Sequence, residues 1–208
     1  MLNESCMSFF AGLASAQPVP GGGGASAFTG ALGVALASMV ANLTKGKKKY
    51  EAYEGDIRDL LETSETLWRE LADLVLRDAQ AFAPLSEAYR LPKETEDQRL
   101  HRATVMEEAL LHASLVPLEI MEQAYRGLRL HEELAEKGNR LALSDVGVGI
   151  QLLKAAILGA SMNIFINTKS MADRRAADEI EKKADRLIAE ATTLADAIYR
   201  KAEEAIRG

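Results

Sequence analysis

The sequence predicts an all-α protein, a multihelical bundle built around two buried central helices rich in small residues. Three observations lead there. Residues 25–44 and 146–168 are almost free of charge, and both are apolar and rich in small residues, the first consisting largely of Ala, Gly, Ser and Thr. The stretches between and after them repeat apolar residues at close to a 3.6-residue period. No run of alternating β-branched or aromatic residues suggests a strand. The chain has 208 residues, 48% hydrophobic and 27% charged, which fits one folded domain over 1–208. Its net charge of -6 argues against a general nucleic-acid binder. One cysteine, Cys6, rules out a disulfide framework within the chain and points to the cytoplasm.

Taken in order, residues 3–16 read as a short amphipathic helix capped by Asn3, with Met7, Phe10, Leu13 and Ala14 on one side. A signal peptide is the weaker reading, because Glu4 stands where positive charge belongs. Pro18 and Pro20 end this helix, and Gly21, Gly22, Gly23 and Gly24 follow as a flexible loop. The second helix starts near Gly24 to Ser26 and runs to Thr44. Ser26, Gly30, Gly33, Ala37 and Ala41 form a smooth strip that lets another backbone approach closely. The segment has the length to cross a bilayer, but its small residues argue for a core helix instead. Lys45 to Lys49 follow as a basic cluster.

The third helix is expected over about 51–82, with a stripe of Ile57, Leu60, Leu61, Ser64, Leu67, Leu71, Leu74, Val75, Asp78 and Phe82. Pro84 and Pro92 interrupt it. The fourth covers about 94–128, with Leu100, Ala103, Met106, Leu110, Ala113, Pro117 and Met121 facing in. Pro117 predicts a kink. A separate short helix over 130–137 ends at Gly138-Asn139 as a left-handed cap. The fifth helix, about 145–168, takes Ser144 as N-cap and Asp145 as first-turn acid. Asn163 and Asn167 lie one turn apart on it. The sixth, about 172–206, is an amphipathic cover.

Several residues carry potential chemistry. Asp78 occupies a stripe position due to an apolar side chain. A buried carboxyl has a raised pKa and serves as an acid or base near neutrality. The glycine run lacks the Gly-Lys-Ser/Thr ending of a phosphate loop, and Gly147-Val-Gly149 lacks a third glycine and a preceding strand. On spacing alone the run is either a connector or a loop that feeds a ligand to a helix N-terminus. Lys47 and Lys48 are either an anion site or an ordinary solvated helix end. Asn163 and Asn167 either bridge helices or read a heterocycle with their amides. His101, His112 and His131 have no metal-ligand spacing, so no metal site is expected.

Pro20-Gly-Gly-Gly23, the helix carrying Met39-Val-Ala-Asn42-Leu-Thr44, and Gly46-Lys-Lys-Lys-Tyr50 resemble the cyclodeaminase/cyclohydrolase family of folate enzymes. Asp78-Ala-Gln-Ala-Phe82, Leu91-Pro-Lys93, Val116-Pro-Leu118, Gly138-Asn139, Ser144-Asp145 and Gly159-Ala160 before Asn163 and Asn167 match in the same order. The resemblance implies an all-helical homodimer acting as the catalytic domain alone, while charge and composition argue against nucleic-acid and membrane partners. It implies a tetrahydrofolate substrate and no metal or redox cofactor. The expected reaction is formimidoyltetrahydrofolate cyclodeamination to 5,10-methenyltetrahydrofolate and ammonia. The alternatives are methenyltetrahydrofolate cyclohydrolysis or a non-catalytic folate-binding module. In this reading Asp78, then Asp145, transfers protons. Gly21, Gly22, Gly23, Ser26, Asn42, Lys47, Lys48, Asn163 and Asn167 bind substrate. The family often has Ser after its three glycines, where this chain has Gly24.

Overall fold

A computed structural model describes residues 5–208 and contains six α-helices and no strand among them. They are α1 (Cys6–Leu13), α2 (Gly22–Thr44), α3 (Glu54–Ala88), α4 (Glu96–Lys137), α5 (Leu143–Thr168) and α6 (Arg174–Arg207), with 3-10 turns at Lys48–Tyr53 and Arg140–Ala142. The all-α expectation holds, and α2 and α5 are the small-residue-rich pair at the centre.

These two helices run antiparallel in close contact. A Cβ added at Gly30 would touch Ala156, and one at Gly33 would collide with Leu153 Cγ at 2.7 Å and meet Gly149 O at 3.0 Å. One at Gly159 would meet Ser26 Oγ at 2.6 Å. At Gly33 and Gly159 a side chain would force its neighbour to shift, whereas at Gly30 a methyl group would be tight against Leu71. α3 and α4 cover one side of the pair, and α6 packs on α4 and α5 through Ile180, Ala184, Ala191, Ala195 and Ile198. Fully buried Ile57, Leu67, Leu71 and Leu74 on α3 meet Ile120, Met121 and Leu128 on α4 and Ile150 and Leu153 on α5.

Several boundaries differ from the sequence expectation. The first cap is Ser5, whose side chain accepts from Ser8 N; Asn3 lies outside the described residues. α2 begins at Gly22, so three of the four glycines are helical. Pro84 does not end α3, which continues to Ala88. α4 starts with a Thr95–Gln98 capping box and runs unbroken through the expected gap after Leu128 to Lys137. Leu100 is 61% exposed, not on the core stripe. Gly138 and Asn139 have negative φ, so no left-handed cap forms. Ser144 lies inside the first turn of α5, and Ala142 is the N-cap.

The Gly138-Asn139 turn is held by side chains instead. Asn139 N donates to Thr44 Oγ1 at 2.8 Å, Asn139 Nδ2 to Leu43 O at 3.1 Å, and Arg140 N to Tyr50 Oη at 3.0 Å. Asn139 Oδ1 accepts from Leu141 N. This knot ties the C-terminal end of α2 to the α4–α5 junction and satisfies backbone groups that would otherwise be orphaned.

His131 on α4 is fully buried at the α2–α5 contact. Its Nε2 lies 2.9 Å from Gly33 O, and Nδ1 has no partner. The ring therefore sits as the neutral Nε2–H tautomer, donating to Gly33 O. Burial pushes its pKa from 6.5 down to about 4.

Candidate active site

The N-terminus of α2 lies against Asp78 of α3, and α5 passes beside both with Asn163 and Asn167. Together with Pro18, Val19, Phe82, Ala113 and Ile166, these residues line a cavity of about 220 Å³. α3 places Asp78 there because its apolar stripe turns inward at each preceding step, through Leu71, Leu74 and Val75.

Gly23 acts by its size. A Cβ on Gly23 would overlap the Asp78 carboxyl, and one on Gly22 would lie 3.5 Å from the Asn163 amide. Neither glycine has positive φ. Gly23 serves close approach, not an unusual backbone conformation, while a methyl group at Gly22 would make ordinary contact; both glycines are helical, which corrects the reading of a flexible loop.

Burial raises the Asp78 carboxyl above its ordinary value of 3.8, and the Gly24 N–H beside it pulls the other way as the smaller influence. The first-turn amides of α2 also favour negative charge here. Desolvation wins, so the group stands closer to neutrality than a surface aspartate and exchanges protons more readily near pH 7.

Asn167 is 8% exposed and donates from Nδ2 to Ala113 O at 2.9 Å. This fixes its orientation at the cavity wall. Asn163 Nδ2 donates to Gly159 O at 3.2 Å within α5. Both amides thus line the Asp78 cavity, held by hydrogen bonds to backbone carbonyls.

Not every expected site residue belongs to this cluster. Asp145 is eighteen residues before Asn163 on the same straight run of helix, about 27 Å away, and is separated from Asp78. Asn42, Lys47 and Lys48 are exposed at the opposite end of α2, about 30 Å from Gly22. Ser26 uses its hydroxyl to donate to Gly22 O at 2.8 Å and fills the notch over Gly159, away from the cavity lining. Within one chain, Gly21, Gly22, Gly23, Asp78, Asn163 and Asn167 come together and these five do not.

Sequence reading missed Pro18, Val19, Ala113 and Ile166 as lining residues. Phe82 had a visible signal, standing one turn after Asp78 on the same stripe. The others carry no chemistry that would mark them.

Larger clefts exist. One of about 770 Å³ between α3 and α4 is lined by Arg77, His112 and Glu119, and one of about 630 Å³ between α2 and α3 by Phe28, Leu32 and Trp68. In the first, Arg77 is already held by Glu119 at 2.5 Å; the second is mainly apolar. The Asp78 cavity combines a desolvated carboxyl with two fixed amides and helix-terminal N–H groups, the pattern expected of a reactive site.

Fold and site together define an all-helical protein with a desolvated carboxyl beside paired amides. The chain belongs to the formiminotransferase-cyclodeaminase family, whose model matches residues 5–186. Methenyltetrahydrofolate cyclohydrolase of Methylorubrum extorquens is 44% identical over 197 residues, spanning 95% of both chains. Formimidoyltransferase-cyclodeaminase of Mus musculus is 35% identical over 195 residues, 94% of this chain but 36% of that protein. The crystal structure of formiminotetrahydrofolate cyclodeaminase from Thermotoga maritima superposes with a TM-score of 0.82 at 28% identity, covering 100% of this chain and 98% of that one.

Proposed function

We propose that the chain is a cytoplasmic, homodimeric enzyme of folate one-carbon metabolism that acts on the bridging one-carbon unit of tetrahydrofolate, with Asp78 as its proton-transfer group. The observation that carries this reading is a desolvated carboxyl wedged against Gly23 and flanked by Asn163 and Asn167. Relatives of both activities support the substrate class.

Cyclohydrolysis is favoured by the relative that matches at 44% over nearly the full length of both chains. Here water adds to the cationic methenyl carbon while Asp78 takes a proton from it. The C–N5 bond of the tetrahedral adduct then breaks, N5 receives a proton, and 10-formyltetrahydrofolate results. Cyclodeamination is the second reading, supported by the Thermotoga maritima structure. In it N10 attacks the formimidoyl carbon, gives up its proton, and ammonia leaves carrying one. Both routes pass through the methenyl carbon, so one carboxyl beside it serves either, with no metal or redox cofactor. Asn163 and Asn167 offer donors and acceptors to the pterin edge.

The test is to supply methenyltetrahydrofolate and 5-formimidoyltetrahydrofolate separately, following methenyl absorbance and ammonia release. Loss of absorbance with the first substrate is the expected result; gain of absorbance with ammonia from the second would favour cyclodeamination. Asp78→Asn should lower kcat by roughly 100-fold or more with little change in folate affinity. Turnover near that of the parent would remove Asp78 from the mechanism.

A further inference from the structure

Pro117 is buried inside α4, and the helix continues on either side of it. A proline in that position acts twice on one neighbour. It has no N–H to give to the carbonyl four residues earlier, and its ring crowds that same carbonyl. In α4 the carbonyl belongs to Ala113. It has lost its intrahelical donor, and Ala113 is buried, so water is a poor substitute. A buried acceptor of this kind costs stability unless another donor reaches it.

Asn167 of α5 is that donor. Its Nδ2 meets Ala113 O at 2.9 Å, across 54 residues of sequence. No other side chain among the described residues donates to this oxygen. A carbonyl can only accept, so the amide has a single orientation, with Nδ2 on Ala113. Ala113 and Asn167 both line the Asp78 cavity. Asn163, by contrast, donates to Gly159 O of its own helix. The link from Asn167 therefore fixes one cavity amide against a second helix. Pro84 in α3 makes the useful comparison. It frees the carbonyl of Gln80 in the same way, but Gln80 is exposed at the α3–α4 cleft and no side chain takes its oxygen, because water can.

We propose that Pro117 is a positioning residue for the Asp78 cavity: by withholding an N–H it leaves the Ala113 carbonyl to Asn167 and so sets the amide that meets the substrate. The dependence of this hydrogen bond on Pro117 stands on α4 and α5 alone; that the amide meets a folate rests on the reading given above.

Two variants of the full chain test this. Pro117→Ala and Pro117→Val both restore the N–H, and valine also keeps about the volume of the ring, which separates the N–H from lost packing. Both should retain helical circular dichroism, and kcat/KM for methenyltetrahydrofolate should fall roughly fivefold or more in each. Asn167→Ala should lose at least as much, and adding Pro117→Val to it should cost less than about twofold further, because both changes break one link. Pro84→Ala, the control proline, should stay within about twofold of the parent. A spectroscopic arm needs no substrate. The Asn167 side-chain amide protons, assigned by their absence in Asn167→Ala, should exchange slowly in the parent and roughly tenfold faster in Pro117→Val. Parent kcat/KM in either Pro117 variant or in Asn167→Ala overturns the proposal. So does a Pro117→Val loss that is as large in the Asn167→Ala background as alone. Asn167 protons that exchange in the parent as fast as those of exposed Asn42 overturn it even where no Pro117 variant folds. A parent that turns over neither methenyl- nor 5-formimidoyltetrahydrofolate sinks the folate reading, and the exchange rates then still decide whether Pro117 holds Asn167 in place.

Discussion

Asp78 and Gly23 act as one unit, since the glycine's missing side chain is what lets the carboxyl reach the first turn of α2. Gly23→Ala puts a methyl group into that carboxyl. The expected result is a fall in turnover of about tenfold or more, with near-parent helicity, as Asp78 is pushed out of place. The raised carboxyl also has a stability consequence. Its ordinary value is 3.8 and the folded value is higher, so the fold binds this proton more tightly than the unfolded chain does. Asp78 therefore costs stability as pH rises through and above that window and costs nothing well below it. Asp78→Asn should raise Tm at pH 7, and the gain should vanish as pH falls below about 4. An unchanged or lower Tm at pH 7 would mean that the carboxyl is not desolvated.

His131 shows the opposite linkage. Its pKa is near 4 in the fold against 6.5 ordinarily, so the unfolded chain takes up a proton first as pH falls. Stability from this group is complete above pH 6.5 and is lost toward pH 4, by roughly 3 kcal/mol. Urea unfolding at several pH values should show that slope, and His131→Gln should flatten it. Equal slopes in parent and variant would place the acid sensitivity elsewhere.

At the scale of elements, α2 is held at both ends by different means. Its N-terminus closes on α3 and α5 through the absence of side chains, and its C-terminus is tied by the Thr44, Tyr50 and Asn139 hydrogen bonds. This gives Tyr50 and Gly138-Asn139 a structural role in the pattern they share with the family. Asn139→Ala leaves the Leu43 carbonyl and Leu141 N–H without their partner, which should cost about 1–3 kcal/mol in a denaturant titration. Turnover should stay near that of the parent while the protein remains folded, because Asn139 lies at the end of α2 remote from Asp78. A large loss of kcat in the folded variant would tie this end of the molecule to the chemistry.

For the whole molecule, the antiparallel course of α2 and α5 separates two sets of residues that both looked functional. Asp78, Asn163 and Asn167 gather at one end, and Asn42, Lys47, Lys48 and Asp145 lie toward the other. Spacing along one helix was legible: Asn163 and Asn167 share a face because they are four residues apart, and Asp78 is conspicuous because an apolar stripe runs through it. Boundaries were less legible, because glycines read as a loop become helical once their small size serves packing, and a proline fits inside α3.

Local chemistry along the chain determined that this protein is helical, that α2 and α5 are its central pair, and that Asp78 is an anomaly on an inward face. Periodicity and composition act over a few residues, so they can be read without coordinates. The tertiary structure decided which anomalies meet. Gly23 and Asp78 are more than fifty residues apart in sequence, and only the packing of three helices places them in contact and lifts the carboxyl's affinity for a proton.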